Sequence, residues 1–156
     1  MRAELAARAR RWAAAAAPGR AFEATTLGAA EAALHDHDGP VVLVAPDIPG
    51  LDARLVTAAL EDLAAGCDVV LGAAHDALPY ILAVPRLDHE LLSLAEGSYR
   101  EGLLATFADR GLVLGMLRHE RRLASPADAR ALAIDPHAPA ELSAIVHIAL
   151  GRPRRR

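Results

Sequence analysis

The stretch "VVLVAPDIPGL", Val41 to Leu51, decides how the chain is read. Four of its first five residues are β-branched or large aliphatics, the signature of a strand buried on both faces. The run then ends on Asp47, held between Pro46 and Pro49. A carboxylate just past a buried strand is costly unless something pairs with it, so the fold has to supply Asp47 with a partner.

Working outward, Asp52 is placed to cap a helix over "ARLVTAALEDLAAG". Leu55, Ala58, Ala59 and Leu63 recur there at helical spacing, and Gly66 stops it. "DVVLG" (68–72) is a second continuous apolar strand, so the unit reads as β-α-β in a parallel sheet covered on both faces. "YILAV" (80–84) is a third strand closed by Pro85, and "LVLGML" (112–117) a further one. At the front, "RAELAARARRWAAAAA" (2–17) is a helix halted by Pro18 and Gly19. "RAFEA" (20–24) reads as a short strand, and Thr25 or Thr26 caps the helix "LGAAEAALHD". Ser98 and Glu101 have the spacing of a capping box, "SPAD" at 125–128 opens another helix, and a last amphipathic helix covers 139–150. The expected class is α/β, a three-layer α/β/α sandwich with a mainly parallel sheet, forming one domain over 1–150. A basic tail, 151–156, is expected to be solvent-facing and disordered.

Composition narrows the function. The chain has 156 residues and a formal charge of -3, so no global field draws it to nucleic acid or to an anionic membrane. All 17 basic residues are arginine, which points to base composition and not to a site. Cys67 is alone and reads as an inert core residue, and there is no signal peptide or long apolar run, so a soluble cytoplasmic protein is expected. There is no G-x-G-x-x-G, P-loop or nucleophile elbow.

In open α/β sheets, ligands bind beyond the carboxyl ends of the parallel strands. Asp47 stands at one such end, and Asp76, in "GAAHDALPY", at the neighbouring one. Two carboxylates there suit a hard divalent cation, magnesium or manganese, which prefers oxygen ligands and brings phosphates with it. The competing reading is that each aspartate forms its own turn. His75 lies beside Asp76, in reach of the same crevice, as a candidate substrate contact or general base. "HDHD" (35–38) is more simply a solvated helix end than a metal site, and His119, His137 and His147 show no ligand spacing.

Taken together, "VVLVAPDIPGL", "DVVLGAAHDALPYILAV" and "RRLASPADARAL" resemble the bacterial selenodomain-associated transferases. That family is similar to the molybdenum-cofactor and 2-phospholactate guanylyltransferases, which share the GT-A nucleotide-diphospho-sugar transferase fold. The resemblance runs over about residues 25–134. It implies a metal that bridges nucleotide phosphates at Asp47, with Pro49 and Gly50 shaping the turn beneath. The family motif D-G-G-Y-Y maps onto Asp76 to Tyr80, keeping the acid and one tyrosine and losing both glycines. The motif D-V-D-T-P-E-D maps onto Arg122 to Asp128, where Ser125, Pro126 and Asp128 persist but Ala124 replaces the acid that would complete the metal site. The leading strand and glycine-rich phosphate loop are not matched, and "APGRAF" (17–22) reads as a helix stop.

The resemblance therefore implies a divergent, shortened nucleotidyl- or glycosyltransferase-fold protein. It would bind a nucleotide, a nucleotide sugar or another phosphorylated ligand, with metal at Asp47 and Asp76 and substrate contacts at Pro49, Gly50, His75 and Tyr80. The ancestral activity is expected to be lost or changed. The alternative is a non-catalytic interaction or dimerisation domain, in which a second copy or a partner chain completes the sheet.

Overall fold

A computed structural model describes residues 2–94 and 98–149; the basic tail lies outside them. Seven helices and four strands follow one another along the described chain: α1 (Arg2–Ala16), α2 (Leu27–Leu34), β1 (Val41–Val44), α3 (Ala53–Ala64), β2 (Val69–Ala73), β3 (Pro79–Val84), α4 (His89–Leu94), α5 (Arg100–Asp109), β4 (Leu114–Met116), α6 (Pro126–Ile134) and α7 (Ala140–Ala149). The sheet order is β1-β3-β2-β4. β1, β2 and β4 point the same way, as the β-α-β reading requires, but β3 runs antiparallel between β1 and β2, so the sheet is mixed. The cause is the short β2–β3 connection, residues 74–78. A parallel return needs a crossover of a dozen or more residues, so only a hairpin can form there.

Alternate strand residues feed opposite faces. Val70, Ile81 and Ala83 pack with Ala9 of α1 and with Leu55, Ala59 and Leu63 of α3. Val69, Leu71, Leu82 and Val84 pack with Leu91 and Leu92 of α4 and with Leu103 and Phe107 of α5. Helices therefore cover both faces, giving the three layers. A separate cluster joins Leu5 of α1 to Leu132 of α6 and to Leu142 and Val146 of α7.

The expected caps form at Thr26, Asp52 and Ser125, the last as a full capping box with Asp128. The capping box expected at Ser98 does not. α5 starts one residue later, behind Tyr99, with no side-chain cap. Nor is "RAFEA" a strand: residues 21–24 have no regular structure and are exposed, with Phe22 left 47% accessible, because no strand lies alongside to pair with them.

Candidate functional site

The site is organised by the extended segment after β4, which is laced across the strand ends. Leu117 N–H donates to the Leu71 carbonyl (3.0 Å), His75 N–H to the Glu120 carbonyl (2.9 Å) and Leu123 N–H to the Asp47 carbonyl (2.8 Å). Every second residue of this strap, Arg118, Glu120 and Arg122, then carries a charge to the ends of β1, β2 and β3.

Asp47 and Asp76 are brought together, and Arg122 lies between them. Its Nη1 donates to Asp47 Oδ1 at 2.7 Å, its Nη2 to the Pro79 carbonyl at 2.9 Å, and its Nε stands 3.1 Å from Asp76 Oδ2, an ion pair out of line for a hydrogen bond. The Arg122 side chain is only 14% exposed. Asp76 Oδ1 also accepts from Leu78 N–H at 3.1 Å, so the turn-forming role holds alongside the pairing. Ala77 takes a φ of +65° in that tight turn. With the two carboxylates already joined to a guanidinium, and no group of three metal-ligating side chains among the described residues, these residues do not fit a divalent cation.

Arg118 forms a second hub. It donates to Glu120 Oε1 at 2.6 Å, to Asp52 Oδ2 at 2.9 Å and to the Gly50 carbonyl at 3.2 Å. The Glu120 bond, foremost, holds Arg118 firmly in its charged form. Burial alone would push the Asp52 carboxyl up, but the Arg118 hydrogen bond and charge prevail and hold it below its ordinary value. Gly50 serves this hub: a Cβ there would come within 2.1 Å of Glu120 Oε2.

Between Arg118 and the α6–α7 turn lies a cleft of about 400 Å³. Pro49, Gly50, Leu51 and Asp52 form one side, Arg8 and Arg121 reach it from α1 and the strap with Glu120 beside them, and Asp135 and His137 reach it from the α6–α7 turn. Among the described residues, Arg8 and Arg121 have no carboxylate within 4 Å; Arg8 only donates to the Leu51 carbonyl at 3.5 Å, with its Nε buried and unpartnered.

Of the residues named from sequence, Pro49 and Gly50 line this cleft, while Asp47, Asp76, His75 and Tyr80 do not. His75 is exposed, its ring edge-on to His119 at 6.1 Å. Tyr80 is in the core, its hydroxyl donating to the Arg118 carbonyl at 2.8 Å. Burial raises its pKa well above the ordinary value, and the nearby Glu120 charge adds to this. Its role is thus to pin the strap, and Tyr80→Phe is expected to cost about 1 kcal/mol in urea unfolding, the usual worth of one hydrogen bond. Arg8, Arg118, Arg121 and Arg122 were not picked out from the sequence. The only signal for the last three was the alternation of charge in "RHERR" directly after a strand.

The capping box adds a pH-dependent element. Burial raises the Asp128 pKa, but bonds from Ser125 and the Ala124 and Ser125 amides, with the Arg121 charge, outweigh it and lower the value below 3.8. A carboxyl with a lowered folded pKa stabilises the protein above its unfolded pKa, and that contribution fades as pH falls through the folded value. Urea midpoints are expected to drop below about pH 4, and to drop less steeply in Asp128→Ala.

Among solved structures, a nucleotide-diphospho-sugar transferase from Desulfovibrio desulfuricans G20 superposes with a TM-score of 0.62 at 20% identity, covering 83% of this chain and 62% of that one. Molybdopterin-guanine dinucleotide biosynthesis protein A from Archaeoglobus fulgidus is a more distant likeness, with a TM-score of 0.37, 16% identity and coverage of 81% and 63%. The chain thus spans less than two thirds of either protein. The first superposition shows that this chain shares that protein's fold. No curated protein matches the sequence. The model of the DUF2064 family, described as uncharacterized protein conserved in bacteria, matches residues 1–97, well over half of the sequence, and the chain belongs to that family.

Proposed function

We propose that the protein is a divergent transferase-fold domain that binds a nucleotide, a nucleotide sugar or another phosphorylated ligand in the cleft between the Pro49–Asp52 turn and the α6–α7 turn. The observation that carries this is the pair of guanidiniums, Arg8 and Arg121, which line the cleft with no carboxylate within 4 Å among the described residues. Guanidinium groups offer planar, paired donors that match phosphate oxygens. A volume of about 400 Å³ is in the range of small-molecule sites. The motif resemblance to the selenodomain-associated transferases supports the same ligand class, as does the fold.

Calorimetry with nucleoside triphosphates and nucleotide sugars is the test. At least one is expected to bind, and Arg121→Ala, which removes an exposed side chain from the cleft wall, is expected to weaken it by roughly tenfold, the worth of one charge-assisted contact. Binding that is unchanged in both Arg121→Ala and Arg8→Ala contradicts the reading.

A second reading is supported by β1, whose outer edge has no strand partner among the described residues. Leu43, Val44 and Ala45 at that edge, with Leu27 and Ala30 of α2, line a largely apolar groove of about 520 Å³. An unpaired edge beside apolar surface suits strand addition by a second copy or a partner chain. Sedimentation at micromolar concentration distinguishes self-pairing, which predicts a dimer, from a monomer that leaves the edge free.

A further inference from the structure

We infer that Arg122 is the resident cation of the Asp47–Asp76 centre, standing where the resemblance would place a divalent metal. The inference deepens the ligand-binding reading and rests on it only for the site's purpose. Three oxygens converge on one guanidinium: Asp47 Oδ1 (2.7 Å), Asp76 Oδ2 (3.1 Å) and the Pro79 carbonyl (2.9 Å). Two carboxylates and a backbone carbonyl are the donor types that a hard divalent ion takes from a protein. The guanidinium uses the same donors through a planar fork of N–H groups and contributes one positive charge.

The side chain is also fixed in place. It is 14% exposed. Its backbone is held on both sides, because the Glu120 carbonyl accepts from His75 N–H and Leu123 N–H donates to the Asp47 carbonyl. A metal ion taking all three oxygens would have to expel a guanidinium that is largely shielded from solvent and leave the Pro79 carbonyl without its donor. In the alignment with the D-V-D motif, Arg122 stands at the first acid, two residues before Ala124, which replaces the acid that would complete the metal site.

The test uses manganese alone, so its outcome is independent of whether the cleft takes a nucleotide. Mn²⁺ is titrated into the full chain and followed by water-proton relaxation, in wild type, Asp47→Asn, Arg122→Ala and the Arg122→Ala/Asp47→Asn double variant. Wild type and Asp47→Asn are expected to behave alike. Arg122→Ala is expected to take up one Mn²⁺ at least roughly tenfold more tightly than wild type, and the double variant to lose that gain. Wild-type uptake of one Mn²⁺ that Asp47→Asn abolishes overturns the inference. So does a folded Arg122→Ala that binds no more Mn²⁺ than wild type. Should Arg122→Ala fail to fold, Arg122→Met keeps the apolar stem without the charge, and the wild type and Asp47→Asn comparison decides by itself.

Discussion

Replacing Gly72 with alanine is expected to destabilise the protein by about 3 kcal/mol, the upper end of the overpacking range. Gly72 is the penultimate residue of β2, and a Cβ there would stand 2.7 Å from Tyr80 Cζ and 3.0 Å from its hydroxyl oxygen. The obstacle is a rigid ring, 1% exposed, whose hydroxyl is tied to the Arg118 carbonyl. It can yield only by breaking that bond or shifting β3. Because Tyr80 anchors the strap that carries Arg118, Glu120 and Arg122, the damage should also reach the charged centre. Gly28→Ala is the control: nothing lies within 4 Å of a Cβ there, and the first turn of α2 should accept alanine with no loss of stability. Urea unfolding of the two variants measures the difference, and equal midpoints would show that Gly72 is not a packing contact for Tyr80.

Arg122→Ala is expected to cost about 2 kcal/mol, below the range for a fully buried pair because Asp47 and Asp76 keep some access to water. The loss has two sources: the two carboxylates face each other uncompensated, and the Pro79 carbonyl loses its donor. The matching single change, Asp47→Ala, removes one partner of the guanidinium and is expected to cost less, since Asp76 and Pro79 remain. A double-mutant cycle on Asp47 and Arg122 should return a coupling of about 1 kcal/mol. A coupling near zero in unfolding experiments would show the pair to be a surface contact without energetic weight.

Much of the fold was legible because burial writes itself into apolar pattern. Val69–Ala73 and the Leu55–Ala59–Leu63 face of α3 stand where their periodicity predicts, whereas Val41–Val44 forms its strand at the sheet edge with only Val41 buried, not buried on both faces as its apolar run suggests. The antiparallel β3 was legible in principle: residues 74–78 are too few for a crossover, and the length of that loop says so without any coordinates. "RAFEA" failed as a strand for the opposite reason, since local propensity does not create a pairing partner.

The site was half legible. Asp47 and Asp76 do come together, although β3 lies between their strands and the two ends are not neighbours as expected, and no rule of spacing reveals which of 17 arginines will lie between them. Arg122 reaches them through the lacing of the strap, a set of contacts between segments more than 40 residues apart. Arg8 is less visible still, because its helix reads as an alanine-rich run of helix formers with several equivalent cations. Tyr80 shows the converse error, in which a residue named by motif turned out to be committed to the core.

The most direct test of the whole account is ligand-induced thermal stabilisation of the wild-type protein by a panel of nucleoside triphosphates and nucleotide sugars, each in magnesium and again in excess EDTA. A ligand at about 100 times its dissociation constant adds about 2.7 kcal/mol of stability, a readily measured rise in Tm. The account predicts that at least one ligand raises Tm, and by the same amount in EDTA, because Arg8 and Arg121 grip the phosphates and Arg122 already fills the acidic pair. No response to any ligand, or a rise seen only with magnesium and abolished by Asp47→Asn, would contradict it.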